Sequence, residues 1–227
     1  MIYIYHHLGL GDHFVCNGLV RYYHKKFGQT TLFCKNHLIN NIEFMYRDLA
    51  AMTILSFPDD SDVQQYIRQN NLQTNTIIIG FDKIRSGKLL STSFDQAIYE
   101  AENIPFSCRF TDFYVERDHE REKNLFDKLI KTDQYIFVHD DHNRGMNIDK
   151  TRITSNLPII RNDTNYLITD YLTILEHAAE IHLMQSCFKD MINSYAMPKP
   201  RIFLHNYIRN YDEYANSKGL NAFEVIY

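Results

Sequence analysis

The sequence of 227 residues lacks long apolar runs and paired cysteines. Its longest apolar runs, residues 76–81 and 135–138, are too short to cross a bilayer. Four cysteines are present, none in a CxxC spacing: Cys16, Cys34, Cys108 and Cys187. This pattern favours small core residues in a reducing compartment over a disulfide framework or a zinc site. The first residues contain no basic segment followed by an apolar stretch, so we expect a cytoplasmic protein without a secretory signal.

An excess of positive charge is also missing. Lysine and arginine number 24 against 28 aspartates and glutamates, which gives a net charge of −4. Nucleic acids and anionic lipid surfaces attract basic proteins, so neither is expected as a partner. With 44% hydrophobic and 23% charged residues, the composition is that of a globular protein and excludes a disordered tail, a collagen-like fibre and a coiled coil.

Several motifs of phosphate and acyl chemistry are absent. No Gly-x-x-x-x-Gly-Lys-Ser/Thr or Gly-x-Ser-x-Gly occurs, which excludes a phosphate-loop NTPase and a hydrolase of the nucleophile-elbow type. Phe14 stands where a dinucleotide-binding fingerprint beginning at Gly9 and Gly11 needs its third glycine. The acidic run 59–62 follows Pro58 and is interpreted as a helix cap rather than a DxD metal motif.

Short apolar strands alternate with helical periodicities along the chain. The strands are predicted at 2–6, 31–34, 52–57, 76–81, 134–139, 157–161, 181–184 and 201–205. The helices are predicted at 12–27, 36–49, 61–69, 116–131, 170–179 and 187–195. A polar break at 83–92 and an irregular aromatic stretch at 104–114 interrupt the alternation. The pattern predicts an α/β fold of two small Rossmann-like halves with parallel sheets, 1–115 and 116–227. One continuous doubly wound sheet is the alternative.

Open α/β sheets bind ligands beyond the carboxyl ends of their strands, and the loop 6–13 is the first such place. Gly9 and Gly11 let the backbone approach a ligand closely, and the following helix supplies unpaired N–H groups. Asp12 is either the N-cap of that helix or a functional carboxylate. Asp12 and His13 are therefore the candidate catalytic residues.

The segment LGLGDHFVCNGLVRYYHKKFG, directly after a strand, resembles the opening of glycosyltransferase-B enzymes of the heptosyltransferase kind, family 9. The resemblance covers about twenty residues and, more loosely, the two-half layout. It implies that Asp12 is the catalytic base. It also implies an acceptor-side half at 1–115 and a nucleotide-sugar-binding half at 116–227.

The second place is the end of the strand 134–139. The order of strand, His139, polar residues and Arg144 is similar to the His-x-Arg segment that opens the donor half of fucosyltransferase-like enzymes, although here the arginine follows five residues after the histidine. This similarity implies that His139 and Arg144 bind the donor, with Arg144 paired to its diphosphate, as a guanidinium can do bidentately. A turn or a metal site formed by His139, Asp141 and His142 is the alternative; the resemblance implies no metal.

The third place is Ser186, which follows the strand 181–184 and opens a helix. This order resembles the strand–Ser–helix element that receives the donor phosphates in fucosyltransferase-like enzymes. It implies that Ser186 and Cys187 bind the donor, and Asp170 in the same half is a further donor-binding candidate. Ser186 as a plain N-cap is the alternative. His182 alternates with apolar neighbours and is interpreted as a satisfied core histidine.

Together these features predict a metal-independent glycosyltransferase of glycan biosynthesis. Its co-substrate is a nucleotide-sugar donor, its acceptor is a glycan or saccharide, and it needs no cofactor. Homo-oligomerisation is compatible with the sequence. A non-catalytic nucleotide- or sugar-binding module and a nucleotide-sugar epimerase are the alternatives.

Overall fold

A computed structural model describes residues 1–81, 93–141, 144–208 and 219–227; the polar break at 83–92 thus lies outside the described residues. The chain divides into two compact units, Met1–Glu116 and Arg117–Tyr227. Assignment of the first half to the acceptor and the second to the donor stays a prediction. Among the described helices, none has the length and apolar character to cross a membrane.

The first unit contains a parallel four-stranded sheet, here called sheet A, with the strand order β3-β2-β1-β4. Its strands are β1 (Ile2–Tyr5), β2 (Thr30–Lys35), β3 (Met52–Phe57) and β4 (Thr76–Ile78). Its helices are α1 (Leu10–Phe27), α2 (Ile39–Met45), α3 (Asp60–Gln69), α4 (Phe94–Ala101) and α5 (Cys108–Thr111), with 3-10 turns at Asn36–Leu38 and Gln73–Asn75. On one face of the sheet, Tyr5 and Phe33 pack against Val63 and Ile67 of α3, because alternate strand residues point to the same side.

The second unit contains a parallel five-stranded sheet, here called sheet B, with the order β6-β5-β7-β8-β9. Its strands are β5 (Ile136–Val138), β6 (Ile159–Arg161), β7 (Glu180–Leu183), β8 (Arg201–His205) and β9 (Glu224–Ile226). Its helices are α6 (His119–Leu129), α7 (Leu172–His177) and α8 (Cys187–Ile192), with 3-10 turns at Lys150–Arg152 and Ile168–Tyr171. Ile136, Val138, Ile148 and Met184 form a buried cluster beside β5.

The predicted fold class is confirmed, and the single continuous sheet is wrong, because the strands form two separate parallel sheets. In each sheet the chain first adds strands on one side of the first strand and then adds the next strand on its other side. This switch point lies between β1 and β4 in sheet A, and between β5 and β7 in sheet B. Ligands of open parallel sheets bind outside the carboxyl ends of the strands at such points.

Several predicted helix bounds need correction. Helix α1 begins at Leu10 instead of residue 12, because Gly9 is the extended N-cap with φ −71° and ψ 148°. Gly28 ends α1 as predicted, at φ 76°. The helix predicted over 36–49 is a 3-10 turn followed by the shorter α2, and α4 and strand β9 were missed. Asp59 caps α3, which confirms the capping interpretation of the acidic run.

Candidate functional site

A histidine and a serine join the two strands at the switch point of sheet B. His139 directly follows β5, and Ser186 lies beyond the end of the neighbouring strand β7. His139 Nδ1 and Ser186 Oγ are 2.9 Å apart, and the His139 ring packs against Phe188 at 4.6 Å. The structure therefore brings together two predicted site residues that are far apart in the sequence.

Ser186 occupies the N-cap position of α8, but its hydroxyl makes no capping bond to the helix backbone. The Ser186 hydroxyl instead forms its hydrogen bond with His139. Cys187, the first residue of α8, is a free thiol whose pKa burial raises to about 12. Cys187 therefore stays protonated at neutral pH and contributes a neutral side chain to this edge.

Beside His139, an ion pair crosses from the end of β5 to the end of β6. Asp140 is 2% exposed and forms a salt bridge with Arg161, the last residue of β6. Its other carboxylate oxygen accepts the N–H of Ile148 at 2.8 Å, and its own N–H donates to Asn162 Oδ1 at 3.0 Å. These contacts fix a charged network at the carboxyl end of sheet B.

The loop after Asp140 carries Arg144. Asp141 and Met146 form an antiparallel bridge across the loop, and Gly145 turns the chain with φ 65°. The Arg144 side chain is 57% exposed, and its ion-pair partner among the described residues is Asp141, at 3.5 Å. This guanidinium is well placed to meet an anion from solvent.

The alternative metal site includes His142, which lies outside the described residues, as does Asn143. In the part of the chain that the structure describes, no group of three or more histidine, cysteine, aspartate or glutamate side chains is placed to hold a metal ion. The metal alternative therefore gains no support from His139 and Asp141 together.

Asp170 has a partner within its own unit. Arg121 donates to both of its carboxylate oxygens, at 3.0 and 2.8 Å, and one of them also accepts the N–H of Leu167 at 3.2 Å. These contacts join α6 to the turn before α7. The predicted role of Asp170 in donor binding stays a prediction.

The switch point of sheet A also has a histidine bridging two strands. His7 follows β1, and its ring stacks on Phe81, beyond the end of β4, at 4.1 Å and 24°. The N–H of Phe81 donates to His7 Nε2 at 3.3 Å. Gly80 and Phe81 have φ of 83° and 52°. Positive φ is uncommon outside glycine, so the chain at Phe81 adopts a costly conformation at this edge.

Asp12 lies in the first turn of α1, three residues after the N-cap Gly9. The N-cap interpretation of Asp12 is therefore wrong. The Asp12 side chain turns back over Gly9: a Cβ at residue 9 would lie 2.6 Å from Asp12 Oδ2. Glycine at position 9 thus gives the carboxylate its place at the start of the helix, where the dipole favours negative charge.

Two buried histidines lie under this loop. His6 and His13 are 1% and 0% exposed, and their rings meet edge to face at 4.4 Å. His6 Nε2 and both ring nitrogens of His13 are buried without a hydrogen-bond partner among the described residues. Burial lowers the pKa of His6 to about 4 and that of His13 well below its usual value. The structure therefore places His13 as a neutral imidazole directly after Asp12.

Three contributors to these edges were missed in the sequence: Asp140, Arg161 and Phe81. Arg161 and Asp140 carry a usable signal, because each charge stands at the end of an apolar run that forms a buried strand. Phe81 carries none, because its left-handed backbone is set by the tertiary contact with His7.

Comparison of the sequence with family models and with curated proteins gives no match. Comparison with solved structures does give matches. The fold matches the crystal structure of the glycosyl transferase family 9 protein from Veillonella parvula DSM 2008 with a TM-score of 0.60. The match covers 99% of this chain and 85% of that chain at 8% sequence identity. This likeness shows a shared fold and agrees with the resemblance carried by the segment around Asp12.

Proposed function

We propose that this protein is a glycosyltransferase that moves a sugar from a nucleotide-sugar donor to a saccharide acceptor. The observation that carries the proposal is the division of polar groups between the two sheets. A carboxylate, Asp12, lies beside the switch point of sheet A. The cationic Arg144 and the hydroxyl of Ser186 follow the strands at the switch point of sheet B. Glycosyl transfer needs both a proton acceptor and a group that stabilises an anionic leaving group.

In the proposed reaction, the acceptor hydroxyl attacks the anomeric carbon of the donor sugar. The hydroxyl proton passes to a carboxylate oxygen of Asp12, and the bond between the anomeric carbon and the diphosphate oxygen breaks. The bonding electrons leave with the nucleoside diphosphate. Burial lowers the pKa of His13, which makes its imidazole a weak proton acceptor, so the role of base is assigned to Asp12.

The leaving diphosphate gains negative charge, and Arg144 is proposed to pair with it. A charge-assisted, bidentate pair of this kind is stronger than a hydrogen bond between neutral groups. Ser186, oriented by His139 at 2.9 Å, adds a hydroxyl to the same edge. The fold likeness to a glycosyl transferase family 9 structure supports this class of reaction.

The test is a release assay for nucleoside diphosphate with a panel of nucleotide sugars and saccharide acceptors. Donors for the assay are selected by thermal shift, since a ligand at a hundredfold excess over its Kd stabilises by about 2.7 kcal/mol. We expect Asp12→Asn to lower transfer by about 10²–10⁴-fold with unchanged donor binding and Tm, because asparagine keeps the shape but accepts no proton.

The matched control is Asp59→Asn, which makes the same change at the N-cap of α3 in the same unit. Asparagine caps about as well as aspartate, so this variant should keep wild-type transfer. Near wild-type turnover in Asp12→Asn would end the assignment of the base. Tight nucleotide-sugar binding with no transfer to any acceptor would instead favour the non-catalytic binding module.

The donor side is tested by binding. Arg144→Ala should weaken donor binding by about 1.5–3 kcal/mol, because a charge-assisted contact is lost. Lys150→Ala removes a positive charge from the same unit outside the proposed contact and should bind the donor normally.

Metal independence is proposed as well: transfer should survive EDTA, and complete loss restored by Mn²⁺ or Mg²⁺ would return attention to Asp141 and its neighbours.

A further inference from the structure

Two buried histidines lie on one face of sheet B, outside the site described above. His182 on β7 and His205 on β8 are 2% and 0% exposed. Glu180 and His182 alternate along β7, and Arg201, Phe203 and His205 alternate along β8, so all five share a face. His182 pairs in register with Phe203, and the two rings stack at 4.7 Å and 11°.

The histidines belong to a continuous row of hydrogen bonds. Glu180 Oε2 lies 3.3 Å from His182 Nε2, and His182 Nδ1 lies 2.9 Å from His205 Nε2. His205 Nδ1 lies 3.2 Å from the Tyr207 hydroxyl, which accepts the N–H of Asp149 at 3.0 Å. The row thus runs from the first residue of β7 to a loop beyond the carboxyl ends of the strands.

The carboxylate sets the direction of every bond in the row. A carboxylate oxygen accepts, so His182 Nε2 donates to Glu180 and His182 Nδ1 accepts. His205 Nε2 then donates to His182, and His205 Nδ1 accepts the Tyr207 hydroxyl proton. Both histidines are neutral, because burial lowers the pKa of His182 and lowers that of His205 to about 4. Both are therefore expected in the Nε2–H tautomer.

The far end of the row meets the loop that carries Arg144. On one side of the described part of this loop, residues 144–149, Asp140 Oδ1 accepts the Ile148 N–H at 2.8 Å. On the other side Tyr207 accepts the N–H of the next residue, Asp149, at 3.0 Å. Two consecutive backbone amides of the loop are thus bound by side chains that follow two different strands, β5 and β8.

We propose that Glu180, His182, His205 and Tyr207 form a directional hydrogen-bond chain that positions the Arg144 loop. The inference rests on the proposed function only in that Arg144 binds the donor there. The four residues are positioning residues, because they act on the donor through the loop.

Charged groups flank both ends of this hydrogen-bond chain. A guanidinium nitrogen of Arg201 lies 3.7 Å from Glu180 Oε1, and the charged side chains that act electrostatically on His205 are Arg152 and Asp149. Arg152 also lies over the Tyr207 ring at 4.8 Å. This contact holds the ring independently of the hydroxyl, so Tyr207→Phe removes the link to Asp149 and keeps the packing.

The first test is amide hydrogen exchange. Tyr207→Phe should speed exchange of the Asp149 amide about tenfold, because its hydrogen-bond acceptor is lost. The matched control is Tyr171→Phe: the Tyr171 hydroxyl accepts the N–H of Asp163 at 2.7 Å, in a different loop of the same unit. This control should leave Asp149 exchange unchanged. An unchanged Asp149 rate in folded Tyr207→Phe overturns the proposal.

The second test separates a directional chain from a local tyrosine contact. In wild type, ¹⁵N NMR of the imidazoles should show the Nε2–H tautomer for both His182 and His205 at pH 7. Glu180→Ala removes the acceptor that sets the direction, so both rings should become tautomer mixtures. Exchange of the Asp149 amide should then also rise, although residue 149 does not contact residue 180.

Donor binding gives the functional readout. If Glu180→Ala shifts the tautomers and weakens donor binding several-fold in a protein that stays folded, the hydrogen-bond chain positions the site. An Nδ1–H tautomer at either histidine in wild type overturns the inference. A shifted tautomer and faster exchange in a protein that binds no nucleotide sugar would refute the proposed function and leave the chain as the device that holds this loop.

Discussion

The two switch points share one arrangement and differ in how their polar groups are satisfied. In each, a histidine that follows the first strand of the unit contacts the segment beyond the neighbouring strand. His7 stacks on Phe81 and accepts its N–H, and His139 packs on Phe188 and bonds Ser186. Each α/β unit therefore carries a histidine within two residues of the end of its first strand, with different partners.

The surroundings of the two histidines differ more. At sheet B, Asp140 pairs with Arg161, and the ring nitrogens of His182 and His205 have partners. At sheet A, His6 Nε2 and both nitrogens of His13 have no hydrogen-bond partner among the described residues. A buried unsatisfied polar group costs about 1–3 kcal/mol. His182 and His205 at sheet B are thus hydrogen-bonded, whereas His6 and His13 at sheet A keep buried ring nitrogens without a partner among the described residues, a burial that stability alone does not explain.

Among the tests of this comparison, the largest effect is expected where the Asp12 side chain turns back over Gly9. Alanine can adopt φ −71° without strain, but its Cβ would lie 2.6 Å from Asp12 Oδ2, so the carboxylate must move. We expect Gly9→Ala to lower transfer by about 10–10²-fold at nearly unchanged Tm, since small displacements of a catalytic group have effects of this size.

The control for this prediction is the same change made in the Asp12→Asn background. There the base is already lost, so Gly9→Ala should cause no further decrease, and the two changes should be non-additive. A full additional loss in the double variant would mean that residue 9 acts on transfer by another route.

A matched pair of substitutions should sharpen the contrast between the two regions. His13→Phe removes two unsatisfied ring nitrogens, so the free energy of unfolding should stay equal or rise. His205→Phe removes the partner of His182 and Tyr207 and should lower it by about 1–3 kcal/mol. Urea denaturation of the two variants measures the change in the free energy of unfolding for each. Equal losses would show that the difference in pairing has no energetic consequence.

The last prediction concerns pH, where we expect both regions to behave alike. Burial lowers the pKa of His6 and of His205 from 6.5 to about 4. Between these values the unfolded chain binds more protons than the folded one. The free energy of unfolding therefore falls as the pH falls from about 6.5 toward 4, with a slope of at most about 1.4 kcal/mol per pH unit for each group. A flat stability profile from pH 7 to pH 5 in urea denaturation would contradict this.

Much of the framework was predictable from local pattern. Alternation of apolar residues marks the strands, and the loop of Gly9 and Asp12 falls after β1 because strand and helix periodicities meet there. The prediction failed at Phe94–Ala101, which was left between the polar break and the aromatic stretch. Asp95 of this helix forms a buried ion pair with Arg109 of α5, 2.7 Å apart. The two residues are recognised as partners only once the chain is folded.

The sequence by itself determined the alternation of strands and helices, the two units that each contain a parallel sheet, and the polar loops that follow the strands. These features depend on periodicities a few residues long. Only the tertiary structure decided which polar groups meet. His139 bonds a serine 47 residues away, and His182 bonds a histidine 23 residues away. Such contacts depend on which strands become neighbours, and a residue's hydrogen-bonding partner across a sheet leaves no periodic trace in the chain.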